Sequence, residues 1–265
     1  MSDRDPILLT RADAARLKAW KRADRRFWDG YSPYGPRVAL LVSFAALHAA
    51  GAALDARRRP LWAAILGARS DEALRALGGR DRALVADGEV WRLVTAGFLH
   101  GDLLHLVVNS VALAGLGGLA EAVWGPGRAL WVFVASVVGG NLASQLGPAS
   151  LSIGASGGIF GLMGGLGAFG LRHGRSLAPE LRAVFSRNLW PWVGLNLGIG
   201  LLLPFVDNPA HFGGLLTGAA LGAVLDQRIT HPAGPLGGRA AAAAALGTIA
   251  LAFGGLMLGG AGAGR

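Results

Sequence analysis

Several apolar runs in this chain approach the roughly 20 residues that an α-helix needs to cross a hydrocarbon core of about 30 Å. Short segments that hold most of the charge separate these runs. The composition agrees, because 52% of the 265 residues are hydrophobic, only 15% are charged and 43 are glycine. The sequence therefore predicts an all-α fold, a polytopic bundle of membrane helices.

We mark seven candidate spans, at residues 38–54, 103–123, 129–143, 157–171, 189–205, 210–225 and 240–260. The fourth span has 15 residues, and these rise only about 22 Å as a helix. We therefore expect it to begin inside the bilayer, after an irregular segment at 147–154 that dips into protein-lined space. Irregular backbone at that depth usually marks a functional site.

The spans divide the chain into three parts. Residues 1–36 are predicted to be a basic N-terminal segment, and residues 37–230 a six-helix membrane core with a large first loop at 55–102. Residues 231–265 are predicted to be a linker and an extra membrane helix. The N-terminal segment lacks the features of a signal peptide, and it is either an amphipathic helix at the anionic membrane surface or a partly disordered tail. The first loop is expected to pack at the membrane interface as short helices.

The distribution of arginine predicts the orientation. Arginines follow the fourth and sixth spans, whereas the loops at 144–153 and 206–209 contain no Lys or Arg. Because cytoplasmic loops are enriched in these residues, the N-terminus is predicted to be cytoplasmic. Arg57, Arg58 and Arg59 after the first span oppose this assignment, but the N-terminal cluster of basic residues is larger.

Cysteine content and charge exclude several functional classes. The chain has no cysteine, which rules out disulfides, cysteine catalysis and thiolate metal sites. The net charge of +9 is compatible with nucleic-acid binding, but membrane topology explains the clustering of the basic residues better. We therefore expect a lipid bilayer and no nucleic acid as partner.

Four polar residues are predicted to lie at one depth of the bundle. His105 and Asn109 are in the outer half of the second span, Ser156 opens the fourth and His211 opens the sixth. Polar groups within spans are costly and normally face a partner or a water-filled cavity, so this group is a candidate site. Four further polar side chains are expected to bond between helices: His48, Asn141, Gln145 and Asn196.

Ser156 follows Gly154-Ala155 and is predicted to open a helix. Free backbone N–H groups and the helix dipole favour a developing oxyanion at such a position. A serine nucleophile also needs a base within hydrogen-bond reach, and His211 is the best-placed candidate. Taken alone, the small residues around Ser156 are more typical of a helix-packing face.

Glycine recurs every four residues on the fourth and sixth spans. The two stripes are Gly157, Gly161 and Gly165, and Gly214, Gly218 and Gly222. Such stripes let two helices approach closely. Because His211 lies three residues before Gly214, the imidazole shares the packing face. We expect Ser156 Oγ within about 3.5 Å of a His211 ring nitrogen.

His105 and Asn109 are spaced i, i+4 and therefore share one helix face. They are candidates for an oxyanion hole, and interhelical hydrogen bonding is the alternative role. His100, Asp102 and His105 are close in sequence, but no His-Glu-x-x-His pattern or second carboxylate accompanies them, so we expect no metal site. Asp102 is predicted to be the N-cap of the second span.

These motifs, in this order and spacing, resemble those of the rhomboid intramembrane serine proteases. They are Glu89-Val-Trp91-Arg92, His100, His105-x-x-x-Asn109, Gly154-x-Ser156-Gly157 and Ala210-His211-x-Gly-Gly214, with Glu121 at the end of the second span. The resemblance covers residues 60–225 and implies a rhomboid-like six-helix core with a seventh transmembrane helix. It also implies a multi-pass protein of the bacterial inner membrane.

The resemblance implies a serine-type endopeptidase that cleaves transmembrane segments of other membrane proteins without a cofactor. By this carry-over Ser156 is the nucleophile, His211 the general base, and His105, Asn109 and Gly154 belong to the oxyanion hole together with the Ser156 amide. Trp91 and Arg92 would be structural. Phe160 stands where many bacterial members have a tyrosine, so that stacking under His211 is retained while the hydroxyl is absent.

Two other functions are compatible with a polytopic bundle. A non-catalytic rhomboid-like scaffold would bind client transmembrane helices, but it has no chemical need for both Ser156 and His211. A small transporter would explain the broken fourth helix, but the sequence has no visible inverted repeat.

Overall fold

The structure, a computed structural model, describes residues 11–30, 35–203, 206–225, 227 and 235–262. Within these residues the helices are α1 (Arg11–Gly30), α2 (Pro36–Asp55), α3 (Leu61–Leu66), α4 (Asp71–Ala76), α5 (Arg82–Ala86), α6 (Arg92–Thr95), α7 (Leu103–Trp124), α8 (Pro126–Leu146), α9 (Ser156–His173), α10 (Pro179–Phe185), α11 (Leu189–Leu202), α12 (Asn208–Val224) and α13 (Pro235–Gly262). The strands are β1 (Arg80–Asp81) and β2 (Leu151–Ser152). Parts of these predictions lie outside the described residues: 1–10 and 31–34 of the N-terminal segment, 204–205 at the end of the fifth span, 226 and 228–230 at the end of the six-helix core, and 231–234 and 263–265 of the C-terminal part.

Seven helices correspond to the seven predicted spans, which confirms the polytopic all-α fold. Among the described residues, α2, α7, α8 and α13 are long and apolar enough to cross a membrane by length and composition. The other three are shorter, with 18 residues in α9, 14 in α11 and 17 in α12. The chain is an integral membrane protein whose site helices, α9 and α12, are among the shorter ones.

Several predicted helix boundaries are wrong, and capping explains some of the differences. The third helix, α8, extends beyond 129–143 at both ends, and it begins early because Gly125 adopts a φ of +82° and Pro126 starts the first turn. The fourth, α9, runs three residues longer than its predicted 15. The sixth begins at Asn208 instead of 210, because the Asp207 side chain accepts a hydrogen bond from the Ala210 N–H. The predicted N-cap of the second span, Asp102, is confirmed by its bond to the His105 N–H.

The first loop folds into short helices, as predicted, and adds a strand that the sequence did not reveal. β1 pairs antiparallel with β2, so that Arg80 lies opposite Ser152. β2 lies just before α9, and the predicted irregular segment is therefore partly a strand. The pairing ties the first loop directly to the segment that leads to Ser156.

Arg92 holds the first loop together from within. Its buried guanidinium donates to the carbonyl oxygens of Arg75, at 2.7 Å, and Gly79, at 2.9 Å. Nearby, Arg75 Nε donates to the Asp81 carboxylate at 2.7 Å, and this bond lowers the pKa of Asp81. These contacts join parts of the first loop to one another, as expected for a structural role of Arg92.

The expectation that polar side chains in the spans bond between helices is confirmed for three of the four, whose partners lie in short helices of the first loop, and is wrong for Asn196. Asn141 donates to the Leu93 carbonyl at 2.9 Å and Gln145 to the Arg82 carbonyl at 2.8 Å, so both bond to the first loop. His48 lies 3.0 Å from the carbonyl oxygen of Ile65 in the same loop, and Asn196 bonds within its own helix. The first loop is thus packed onto the helices, and its carbonyl oxygens meet the side chains of His48, Asn141 and Gln145.

The backbones of α9 and α12 are in contact along the two predicted glycine stripes. The Cβ of any larger residue at Gly214, Gly218 or Gly222 would overlap the backbone of Gly157, Gly161 or Gly165, respectively. The register advances by four residues on both helices together, so the helices run parallel and begin at the same end. Residues 157–167 of α9 are all buried, and α9 is the central helix of the bundle.

Both terminal helices pack on the bundle. α1 buries Ala23 and Phe27, and the Phe27 ring meets Phe185 of α10 edge-on at 6.1 Å. At the other end of the chain, Phe253 of α13 meets Phe98 of the first loop at 5.5 Å. Over its described residues the N-terminal segment is therefore a helix that packs on the bundle.

Substitution Gly218→Ala is expected to lower the free energy of unfolding by about 1–3 kcal/mol, because the added methyl group overlaps the Gly161 carbonyl. Thermal unfolding of the purified protein in detergent measures the change. Gly194→Ala on α11 is the matched control, since a Cβ there meets nothing within 4 Å. Equal melting temperatures for the two variants would contradict the contact between α9 and α12.

Candidate active site

Ser156 is the first residue of α9 and points its hydroxyl at α12. The residue before it, Ala155, supplies no side-chain cap to the helix. No side-chain cap therefore competes with a ligand oxygen for the first N–H groups of α9. A half-buried hydroxyl at this position lies next to a natural anion-binding element.

His211 lies in the first turn of α12, and its Nε2 is 2.9 Å from Ser156 Oγ. The distance is inside the expected limit, because the glycine stripes bring the two helix ends together. The other ring nitrogen, Nδ1, is buried and has no hydrogen-bond partner among the described residues. The pair can transfer a proton from oxygen to nitrogen when Nε2 is the unprotonated nitrogen of the ring.

Phe160 stacks on the imidazole of His211. The ring centroids are 4.3 Å apart and the planes are inclined by only 18°. Phe160 follows Ser156 by one helical turn, so a single face of α9 carries both the hydroxyl and the ring. In the absence of a partner on Nδ1 among the described residues, this stacking limits the orientation of the imidazole.

His105 approaches the site from α7, with its ring next to Gly154. The Gly101 N–H donates to His105 Nδ1 at 3.4 Å, so in a neutral ring the proton is on Nε2. A Cβ at Gly154 would lie 2.8 Å from this Nε2 and 3.8 Å from Ser156 Oγ. The His105 Nε2–H is therefore a hydrogen-bond donor beside the serine.

Gly154 contributes space to the site. Its φ of +120° lies in a region of backbone conformation that residues other than glycine rarely adopt. Its own N–H is engaged, because it donates to the carbonyl oxygen of Ala96 in the first loop at 3.0 Å. The amide of Gly154 is thus not a free donor, which the sequence did not reveal, and the absence of a Cβ is what lets His105 approach Ser156.

Asn109 is buried one turn below His105 on α7. Its side-chain amide donates to the His105 carbonyl oxygen at 2.9 Å. This bond is within α7 and does not join Asn109 to Ser156. The amide group retains a second N–H, so the side chain has donor capacity left.

The structure describes no group of three or more His, Asp or Glu residues that could hold a metal ion. Asp102, the acidic residue closest in sequence to the site histidines, caps α7 through a 2.8 Å bond from the His105 N–H. The polar groups of the described site are the side chains of Ser156, His211, His105 and Asn109 and the backbone amides at the start of α9.

Asp207 and the Ala96 carbonyl of the first loop are parts of the site region that the motifs did not reveal. Asp207 could be recognised from sequence only as a helix cap, because an acidic residue precedes Asn208-Pro209. The Ala96 carbonyl has no sequence signal, since any residue carries one.

The comparison with protein families and known proteins identifies relatives. A family model described as the Rhomboid domain matches residues 87–228, which contain all five candidate site residues. The Bacillus subtilis (strain 168) protein named Rhomboid protease GluP is 36% identical over 187 residues, which are 71% of this chain and 36% of that protein. RHOMBOID-like protein 5 of Arabidopsis thaliana is 40% identical over 155 residues, 57% of this chain and 49% of that protein. Rhomboid-like protease 3 of Toxoplasma gondii is 34% identical over 155 residues, which are 57% of this chain and 58% of that protein. Each match thus spans less than two thirds of the relative.

Substitution Gly154→Ala is expected to slow modification of Ser156 by a fluorophosphonate probe by about 10²–10³-fold, the usual effect of losing one oxyanion donor. The methyl group would push His105 Nε2 away from the serine. Gly88→Ala is the control, because Gly88 also has a positive φ, +105°, but a Cβ there meets nothing within 4 Å. If Gly154→Ala and Gly88→Ala slowed labelling equally, the cause would be backbone strain at a positive φ, and the role of His105 would be contradicted.

Proposed function

Because this chain belongs to the rhomboid family, we propose that it is a serine-type endopeptidase that cleaves transmembrane segments of other membrane proteins. One observation carries the proposal: Ser156 Oγ lies 2.9 Å from His211 Nε2 at the start of two helices that contact each other backbone to backbone. This is the geometry that a nucleophile and its general base require.

The reaction begins when Ser156 Oγ attacks the carbonyl carbon of the scissile peptide bond and His211 Nε2 takes the hydroxyl proton. The carbonyl oxygen becomes negative in the tetrahedral intermediate. His211 then donates its proton to the leaving amine, and an ester between Ser156 and the substrate remains. A water molecule attacks this ester with His211 again as base, which releases the carboxylic acid and restores the serine.

The negative oxygen is stabilised by donors that are already in position before the reaction. These are the Ser156 N–H at the start of α9 and the Nε2–H of His105. We assign Asn109 to the same hole as a third donor, through the amide N–H that it does not use for the His105 carbonyl. Gly154 belongs to the same hole through its missing side chain, which gives His105 access. Such donors cost no reorganisation during the reaction and are therefore effective catalysts.

His211 acts in a dyad, because no carboxylate among the described residues bonds to its ring. Phe160 takes part of that orienting role through the stacked contact of 4.3 Å. Because this ring has no hydroxyl, it supplies packing and no hydrogen bond. No cofactor or metal enters any step of this mechanism.

The substrates, the surroundings and the orientation form part of the same proposal. The partners are transmembrane protein substrates in a lipid bilayer. We place the protein in a bacterial inner membrane with a cytoplasmic N-terminus, so that the site opens toward the opposite side. The membrane core at 37–230 carries the activity, and the N-terminal segment at 1–36 and the extra helix at 231–265 are additions to it.

Substitution Ser156→Ala is expected to abolish cleavage of a model transmembrane substrate by the purified protein, because removal of the nucleophile costs several orders of magnitude in kcat. Ser176→Ala, an exposed serine after α9, is the control and keeps the activity. Fluorophosphonate labelling of the wild type should depend on both Ser156 and His211.

If the protein were a non-catalytic scaffold, the wild type would show neither cleavage nor labelling in the same experiment. A folded wild-type protein that binds transmembrane segments but neither cleaves them nor reacts with the probe would overturn the protease proposal. Cleavage that persists in Ser156→Ala would overturn the assignment of the nucleophile.

A further inference from the structure

Arg80 of β1 is completely buried, and its guanidinium contacts three separate segments of the chain. Nη1 donates to the carbonyl oxygen of Ala149 at 3.1 Å and lies 3.5 Å from that of Ser150. Nη2 donates to the Ser144 hydroxyl, at the end of α8, and lies 3.5 Å from the Asp207 carboxylate. A buried cation with such partners indicates a specific role, because its desolvation must be offset by these contacts.

Two of the segments that Arg80 contacts lead directly to Ser156 and His211. The segment with Ala149 and Ser150 continues through β2 to Ser156, and β2 itself pairs with the strand of Arg80. Asp207 caps α12 one turn before His211. One guanidinium therefore joins the two backbone segments that carry the candidate nucleophile and base.

Asp207 uses its two carboxylate oxygens for different purposes. Oδ1 accepts the Ala210 N–H at 3.2 Å and so begins the helix. Oδ2 accepts from the Ser144 hydroxyl and faces Arg80. The carboxylate is mostly buried, with 13% of the side chain exposed. Without Arg80 its charge would be uncompensated, and the side chain would be driven towards water and away from the helix end.

The orientation of His211 depends on the helix end that carries it. Its Nδ1 has no hydrogen-bond partner among the described residues, and Phe160 limits the ring only through stacking. The backbone at the start of α12 must therefore set the distance between the imidazole of His211 and Ser156.

We propose that Arg80, acting through Ser144 and Asp207, is a positioning residue that holds the N-terminus of α12 so that His211 stays within hydrogen-bond distance of Ser156. The effect on catalysis rests on the proposed function. The effect on the helix end does not, so the two can be tested separately.

The test compares full-length Arg80→Gln, Asp207→Asn and the double variant in detergent. Asparagine can still cap α12 through its amide oxygen, so Asp207→Asn removes the charge and retains the cap. The measurements are kcat and KM for a model transmembrane substrate, amide hydrogen exchange at 207–212, and the melting temperature.

Each single variant is expected to lower kcat by about 10- to 100-fold, the effect of a small displacement of a catalytic group. KM should change by less than about 2-fold, because the substrate contacts are retained. Exchange at the start of α12 should become faster. The double variant should resemble the single ones, because both changes remove the same contact.

Arg82→Gln is the matched control. Arg82 belongs to the same part of the first loop and donates to the Ala149 carbonyl at 3.2 Å, but the structure gives it no bond to Asp207 or Ser144. The substitution Arg82→Gln removes one positive charge from the same part of the first loop. It should leave kcat and the amide hydrogen exchange at 207–212 near the wild-type values. Arg80→Lys should recover part of the activity, since an ammonium group keeps the charge but not the planar set of donors.

The proposal is overturned if Arg80→Gln keeps the wild-type kcat and exchange, if the effects of the two single variants add, or if Arg82→Gln is equally damaging. Should Arg80→Gln fail to fold, Asp207→Asn and Arg80→Lys give the same readouts. If the wild type neither cleaves nor reacts with the probe, the proposed function fails. Hydrogen exchange alone then tests whether Arg80 holds the start of α12. Faster exchange at 207–212 in Arg80→Gln or Asp207→Asn but not in Arg82→Gln supports the positioning role, and unchanged exchange overturns it.

Discussion

The backbones of α9 and α12 touch along three pairs of glycines, and the rest of the site depends on this contact. In a bilayer, helices gain no hydrophobic driving force from meeting each other, so close packing must supply the attraction. Side chains at these positions would separate the helices by several ångströms. Ser156 and His211 would then lose their 2.9 Å contact, because both are held at the ends of these two helices.

The first loop is the second requirement of the site. It accounts for about a sixth of the chain and supplies few of the residues that motifs identify. Yet its Ala96 carbonyl holds the Gly154 N–H, and its strand β1 pairs with β2. Its carbonyl oxygens also accept hydrogen bonds from the side-chain NH2 groups of Asn141 and Gln145. The loop thus acts as a structural part of the candidate active site and does not merely connect two membrane helices.

The two histidines of the site have different roles because their ring nitrogens have different hydrogen-bond partners. His105 and His211 are both imidazoles, but the Gly101 N–H on Nδ1 makes His105 a donor toward the serine, while Nε2 of His211 lies 2.9 Å from the hydroxyl and accepts its proton when this nitrogen is unprotonated. Gly154 makes the arrangement possible through its positive φ and its missing side chain. The same residue types in other tautomers or positions would not fit the roles of nucleophile, base and oxyanion hole that we propose for them.

The sequence alone determined the membrane bundle, the glycine stripes, the Asp102 cap and the identity of the candidate nucleophile and base. These features depend on apolar runs, on four-residue repeats and on helix-terminal residues, which are local and can be read from short windows. Only the tertiary structure decided the pairing of β1 with β2, the engagement of the Gly154 N–H and the contacts of Arg80. Arg80 and Asp207 are 127 residues apart in sequence, and no local pattern indicates that an arginine of the first loop meets the cap of α12. Such long-range contacts arise only when the helices have packed, because packing determines which buried charges can find a partner.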